Sequence, residues 1–125
     1  MRCVPAELNQ VMLSLVLNAG RAIADKPRAV GVRGALKVTT WAEPGYAVVS
    51  VADDGVGIEP SIQSRIFDPF FTTRAVGSGM GQGLALAHAV VVQAHKGTLT
   101  FVSAPGVGST FYVRLPVETA TLLVV

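Results

Sequence analysis

The chain has 125 residues, half of them hydrophobic and 14% charged, which is enough for one compact core, too short for two and too apolar for a disordered segment. Ten basic against eight acidic residues leave a net charge of +2 with no basic stripe, so nucleic acid is not an expected partner. The single cysteine, Cys3, permits neither an internal disulfide nor a cysteine metal cluster.

No apolar run approaches a membrane span, and Met1-Arg2 opens no signal sequence, so the expected compartment is the cytoplasm, either alone or as the cytoplasmic part of a membrane receptor. Pro5 to about Asp25 reads as a buried helix. Pro5 suits the first turn, Glu7 favours the positive helix end, and Leu8 to Leu17 is apolar on most faces. Lys26 to Gly34, with Arg28 and Arg33, reads as a solvated polar loop. Strands are expected over Ala35–Ala42 and Tyr46–Asp53, joined by the turn Glu43-Pro44-Gly45.

A short helix is expected within Pro60–Phe67, and Asp68–Gly83, with four glycines and a proline, is expected to be a long functional loop. Leu84–Ala94 reads as a second helix, stopped near Gly97. Thr98–Ser103 and Ser109–Leu115 read as two closing strands around a Pro105–Gly108 turn. The apolar tail 117–125 has no assigned place. This order implies one domain over residues 1–125, of α+β class, with a mixed, mostly antiparallel sheet and helices packed on one face.

Four segments carry candidate chemistry. Asn18 shares a helix face with Ser14 and Arg21. Its amide oxygen suits Mg²⁺, with Arg21 placed to reach a phosphate, although a capping or core asparagine reads the same way. In Asp53-Asp54-Gly55-Val56-Gly57, the two-residue strand period puts Asp53 on the face of Val49 and Val51 and turns Asp54 away. Asp53 is then placed to accept a hydrogen bond from the exocyclic amine of a base, and Gly55 and Gly57 allow close approach of the backbone. An ordinary Asp-Gly turn is the plainer account.

Gly77-Ser78-Gly79-Met80-Gly81-Gln82-Gly83-Leu84 leads into a helix and offers backbone N–H groups to phosphate. It fits neither the dinucleotide fingerprint nor a P-loop. Ser109, on the face of Phe111 and Val113, is the hydroxyl expected to point inward and to help Asp53 hold the base.

Together these segments resemble the histidine kinase–gyrase–Hsp90–MutL ATPase superfamily, and within it the histidine kinases, over about Pro5 to Pro116. Gln10–Ala19 is similar to the N box, Asp53–Gly57 to the first glycine box, and Ile66–Arg74 to the F box that opens the ATP lid. Gly79–Leu84 and Gly106–Phe111 are similar to the later glycine boxes.

The resemblance implies a two-layer Bergerat-type fold that binds ATP and Mg²⁺. It implies transfer of the γ-phosphoryl to a histidine on a separate helical-hairpin domain, and a response regulator further downstream. By this resemblance Asn18 holds Mg²⁺, and Asp53 with Ser109 fixes adenine. Gly79, Gly81, Gly83 and the helix start at Leu84 hold the phosphates, with Arg21 and Arg74 as cationic partners. The alternative is a nucleotide-binding or interaction module of the same fold without catalysis. A serine-phosphorylating anti-sigma factor kinase fits the F-box stretch less well, and a hydrolytic ATPase fits Ser14 less well.

The sequence departs from the pattern at Ser14, where kinases commonly have Asn and the gyrase branch a catalytic Glu, at Gln82, and at Lys96-Gly97, where Gly-Gly is usual. The phosphoacceptor hairpin is absent from the chain, so the isolated domain is expected to be a monomer and its parent a homodimer. His88 and His95 are expected to be structural or surface residues.

Overall fold

A computed structural model describes residues 5–68 and 83–117. Helix α1 spans Pro5–Asp25, strands β1 and β2 span Leu36–Glu43 and Tyr46–Asp53, and a 3₁₀ turn covers Pro60–Arg65. Helix α2 spans Gly83–Ala89 and runs into a π-helical turn at Val90–Ala94; strands β3, Thr98–Ala104, and β4, Gly108–Pro116, close the fold. The four strands form one sheet in the order β1-β2-β4-β3, with every neighbouring pair antiparallel.

The register fixes the two faces. Asp53 pairs with Ser109, Val51 with Phe111 and Val49 with Val113, while Phe101 pairs with Phe111 and Leu99 with Val113. This face packs under the helices. Val11, Leu15 and Ala19, four residues apart along α1, join Ala87 and Val91 and the sheet residues Val51, Leu99, Phe111 and Val113 in one buried cluster. The α+β, two-layer expectation is met, with the helices of the described residues on one face.

The opposite face is not bare. Val48 lies there and is only 1% exposed. It stands between Trp41 and Arg114 in the register. Trp41 meets Tyr112 edge-on at 6.4 Å, and Glu43 accepts hydrogen bonds from Trp41 Nε1 (3.0 Å) and Arg114 Nε (3.1 Å). Those long side chains, lying across the sheet, are what bury Val48.

Three local expectations change. α1 is not buried all round: Leu13 and Leu17 stand about half exposed, because the helix meets the sheet and α2 through one stripe. The loop after α1 is not simply solvated, since Lys26 and Arg28 are tied to Asp54. The second helix is not one regular helix to Ala94. Its last turn widens, with the amides of His95 and Gly97 donating to the carbonyls of Val90 and Val91 (3.1 and 2.8 Å). Lys96 ends that turn at φ 57°, a left-handed conformation that strains a side chain. Lys96→Gly is therefore expected to stabilise the domain by about 1 kcal/mol, raising its melting temperature by about 2–5 °C. A thermal melt that falls or stays level would remove strain as the account of this position.

His88 stacks on Phe67 at 4.8 Å, and Phe67 meets Phe101 and Phe111 edge-on. With Ile66 buried in the core, the first two residues of the F-box stretch serve as its anchor. His95 Nδ1 lies 3.0 Å from the Val90 carbonyl. Both histidines thus have structural partners, as expected. Among the described residues, no helix is long and apolar enough to cross a membrane.

Candidate functional site

β2 ends at Asp53 beside the start of β4, and there four of the sequence-derived residues converge: Asp53, Gly55, Gly57 and Ser109. Asp53 Oδ1 accepts a hydrogen bond from the Gly55 amide at 2.8 Å. Its Oδ2 is buried and has no hydrogen-bond partner among the described residues. Burial pushes the Asp53 carboxyl above its ordinary range, and the nearby Asp54 charge adds to this; the Gly55 and Ser109 amides pull the other way. An orphaned acceptor in a half-buried site is costly unless a ligand supplies the donor. A cleft of about 220 Å³ opens beside it, lined by Ser103, Ser109 and the β3–β4 hairpin.

The turn after β2 is bolted in place. The Val56 amide donates to the Ala22 carbonyl at the end of α1 (3.1 Å), and the Gly106 amide donates to the Val56 carbonyl (2.8 Å). A Cβ on Gly55 would overlap the Ala22 backbone, and one on Gly57, itself at φ 72°, would overlap the Ala104 carbonyl. The two glycines are required by these approaches, not by flexibility.

Ser109 is buried, as its place in the strand implied, but its hydroxyl meets Ser103 Oγ at 2.8 Å rather than Asp53. Ser103 also accepts from the Ile58 amide (2.8 Å) and lies within bonding distance of the Gly108 carbonyl (3.2 Å). Sequence reasoning missed Ser103, although the alternation Leu99, Phe101, Ser103 already placed it on this face.

On α1, the expected face opens outward along its length. Ser14 is buried, while Asn18 and Arg21 are half-buried and have no side-chain hydrogen-bond partner among the described residues. Gly83 starts α2, and nothing stands within 4 Å of where its Cβ would sit; Leu84 packs on the core cluster. Arg74, Gly79 and Gly81 lie outside the described residues, as do the rest of the lid stretch and the tail beyond Val117. Among the described residues no cluster of three His, Cys, Asp or Glu side chains could cage a metal.

Comparisons with known proteins place the family. Residues 3–119 match the family model for the histidine kinase-, DNA gyrase B- and HSP90-like ATPase, and the chain belongs to that family. The chain is 41% identical over 112 residues to the signal transduction histidine-protein kinase AtoS of Escherichia coli K12, covering 89% of this chain and 17% of that protein. It is 45% identical over 114 residues to the sensor histidine kinase ZraS of the same strain, covering 91% of this chain and 22% of that protein. It therefore spans about a fifth of the length of these relatives. The solved catalytic domain of the histidine kinase ThkA superposes with a TM-score of 0.75 at 28% identity, covering 91% of this chain and 69% of that one. The mycobacterial sensor histidine kinase MprB gives 0.72 at 28% identity, over 89% and 72%.

Proposed function

We propose that this chain is the Mg-ATP-binding catalytic domain of a two-component sensor histidine kinase, and that it passes the ATP γ-phosphoryl to a histidine on a separate helical-hairpin domain of its parent. The observation that carries the reading is the Asp53 carboxylate, with one oxygen held by the Gly55 amide and the other buried without a hydrogen bond among the described residues. That geometry suits the exocyclic amine of adenine, and the family and the named kinases above support it.

In the proposed reaction a ring nitrogen of the acceptor histidine attacks the γ-phosphorus, the bond to the β–γ bridging oxygen breaks, and ADP leaves. The domain's work in such a transfer is positioning and charge stabilisation. Asp53 fixes the base, with Ser109 and Ser103 shaping the wall beside it. The amides of Gly79, Gly81 and Gly83 and the helix start at Leu84 are the proposed phosphate donors, with Arg21 and Arg74 as candidate cationic partners. Asn18 fits Mg²⁺ as a single amide donor, since Mg²⁺ takes its remaining oxygens from phosphates and water and needs no protein cage. The ion there would screen the phosphate charges. Ser14 offers no carboxylate to activate water, which favours transfer over hydrolysis.

The partners proposed with this reading are the hairpin domain, a response regulator beyond it and a second parent chain, in the cytoplasm. The test supplies the separately expressed hairpin domain and γ-labelled ATP. Mg-dependent label on its histidine is the expected result. Mg-dependent nucleotide binding without transfer would instead make the chain a binding module, and steady release of inorganic phosphate would make it a hydrolase.

A further inference from the structure

The loop from Lys26 to Gly34 lines no part of the candidate site, yet it is fastened to the Asp53–Asp54 turn by its charges. Arg28 Nη2 donates to Asp54 Oδ1 at 2.7 Å and to the Asp54 carbonyl at 2.8 Å, and Nη1 lies 3.5 Å from Oδ2. Lys26 Nζ donates to the same carbonyl at 3.1 Å. The Ala35 amide donates to Asp54 Oδ1 (2.9 Å), and the Asp54 amide donates back to the Ala35 carbonyl (3.2 Å). Asp54 is thus gripped through side chain, carbonyl and amide together. The Arg28 side chain is only 16% exposed, so water does not readily replace it.

We propose that Arg28 is a positioning residue for adenine recognition: its pairing with Asp54 fixes the turn that presents Asp53 and offsets part of the Asp54 charge that opposes ionisation of Asp53. The inference rests on the nucleotide reading above. The groups around Asp53 make the charge balance simple. Asp54 follows it in sequence, and Lys26 and Arg28 stand on the far side of Asp54. Leu36 pairs with Asp53 on β1, Ser109 pairs with it on β4, Ser103 lies beyond on β3, and α1 presents the backbone of Ala22. Asp54 itself is held below the usual carboxylate range by the Ala35 amide and then by Arg28, so it stays charged. Without Arg28, a full negative charge would stand next to a half-buried carboxylate that must be ionised to accept a base amine.

The experiment compares wild type with Arg28→Met, Arg28→Lys, Asp54→Asn and the double variant Arg28→Met/Asp54→Asn. Two quantities are read: the titration midpoint of the Asp53 carboxyl by carbon NMR in the nucleotide-free chain, and the affinity for ADP. Arg28→Met is expected to raise the midpoint by about one pH unit and to weaken ADP about tenfold at neutral pH. Asp54→Asn lowers the midpoint. The double variant brings it back to the wild-type value or below, while Arg28→Lys keeps most of the affinity.

A purely structural role for Arg28 predicts no such charge rescue. An unmoved Asp53 midpoint in Arg28→Met overturns the proposal. If that variant does not fold, a midpoint in Asp54→Asn equal to wild type overturns it instead. Failure of the wild-type chain to bind ADP would sink the nucleotide reading alone, since the NMR midpoints are measured without ligand.

Discussion

Asp53→Asn is expected to weaken adenine nucleotide binding about a hundredfold and, at the same time, to make the nucleotide-free domain more stable at neutral pH. The carboxylate accepts at both oxygens: the Gly55 amide takes one, and the other is left for a ligand donor. An amide in the same outline has one oxygen and one NH₂. Turned one way it points a donor at the base amine, and turned the other way it points a donor at the Gly55 amide. Either arrangement loses one hydrogen bond and leaves a donor facing a donor, worth about 2–3 kcal/mol.

The stability change has the opposite sign. Burial raises the Asp53 carboxyl of the folded chain above its unfolded value, so the folded state binds that proton more tightly. The wild-type domain is therefore most favoured below the unfolded pKa and loses that advantage as pH rises through the folded one. The neutral Asn variant does not follow this slope. Calorimetric titration with ADP and thermal melts at several pH values test both halves. Wild-type affinity in the variant would remove Asp53 from the base site.

The second large effect is expected at Gly108, which combines φ 145° with a position against Asp53, the residue proposed to hold the base. A Cβ there would overlap the Asp53 carbonyl and lie 2.9 Å from the Asp54 Cα. Both contacts are with backbone, so no side chain can swing aside. Gly108→Ala should separate β4 from the end of β2, cost about 3 kcal/mol or more, and take nucleotide binding with it. Gly106→Ala is the matched control. Gly106 sits in the same hairpin at φ 76° with open space around it, so its cost should be limited to about 1–2 kcal/mol of backbone strain. Urea unfolding of the pair separates a clash from simple strain. Equal losses in the two variants would mean that the strands adjust, and that Gly108 is not a fixed point of the site.

Much of the sheet was legible because period and punctuation agreed. Val49, Val51 and Asp53 alternate onto the helix-side face, Pro44-Gly45 closes the first hairpin, and all four expected strands lie within a residue or so of those found. Alternation also placed Asp53 inward and turned Asp54 away. It could not say what Asp54 turned toward, because Arg28 lies 26 positions earlier in a loop whose composition reads as solvent-facing. It did not separate the exposed Leu13 and Leu17 from the buried Val11 and Leu15, since an apolar run hides its own stripe. The widened last turn of the second helix follows from the positions of the carbonyls of Val90 and Val91, which a propensity does not encode. The site was thus readable where one residue's place on an element decided it, and silent where two distant segments had to meet.

Trp41, the chain's one tryptophan, lies on the sheet face away from the helices and toward the β1–β2 turn, beside Val48. Val48 stands five residue steps along β2 from Asp53, roughly 16 Å of strand. The indole is partly screened by Tyr112 and hydrogen-bonded to Glu43. Its fluorescence is consequently a clock for melting of the sheet and is insulated from whatever occupies the opposite end, so one intrinsic signal follows folding while an independent one is left to follow the ligand.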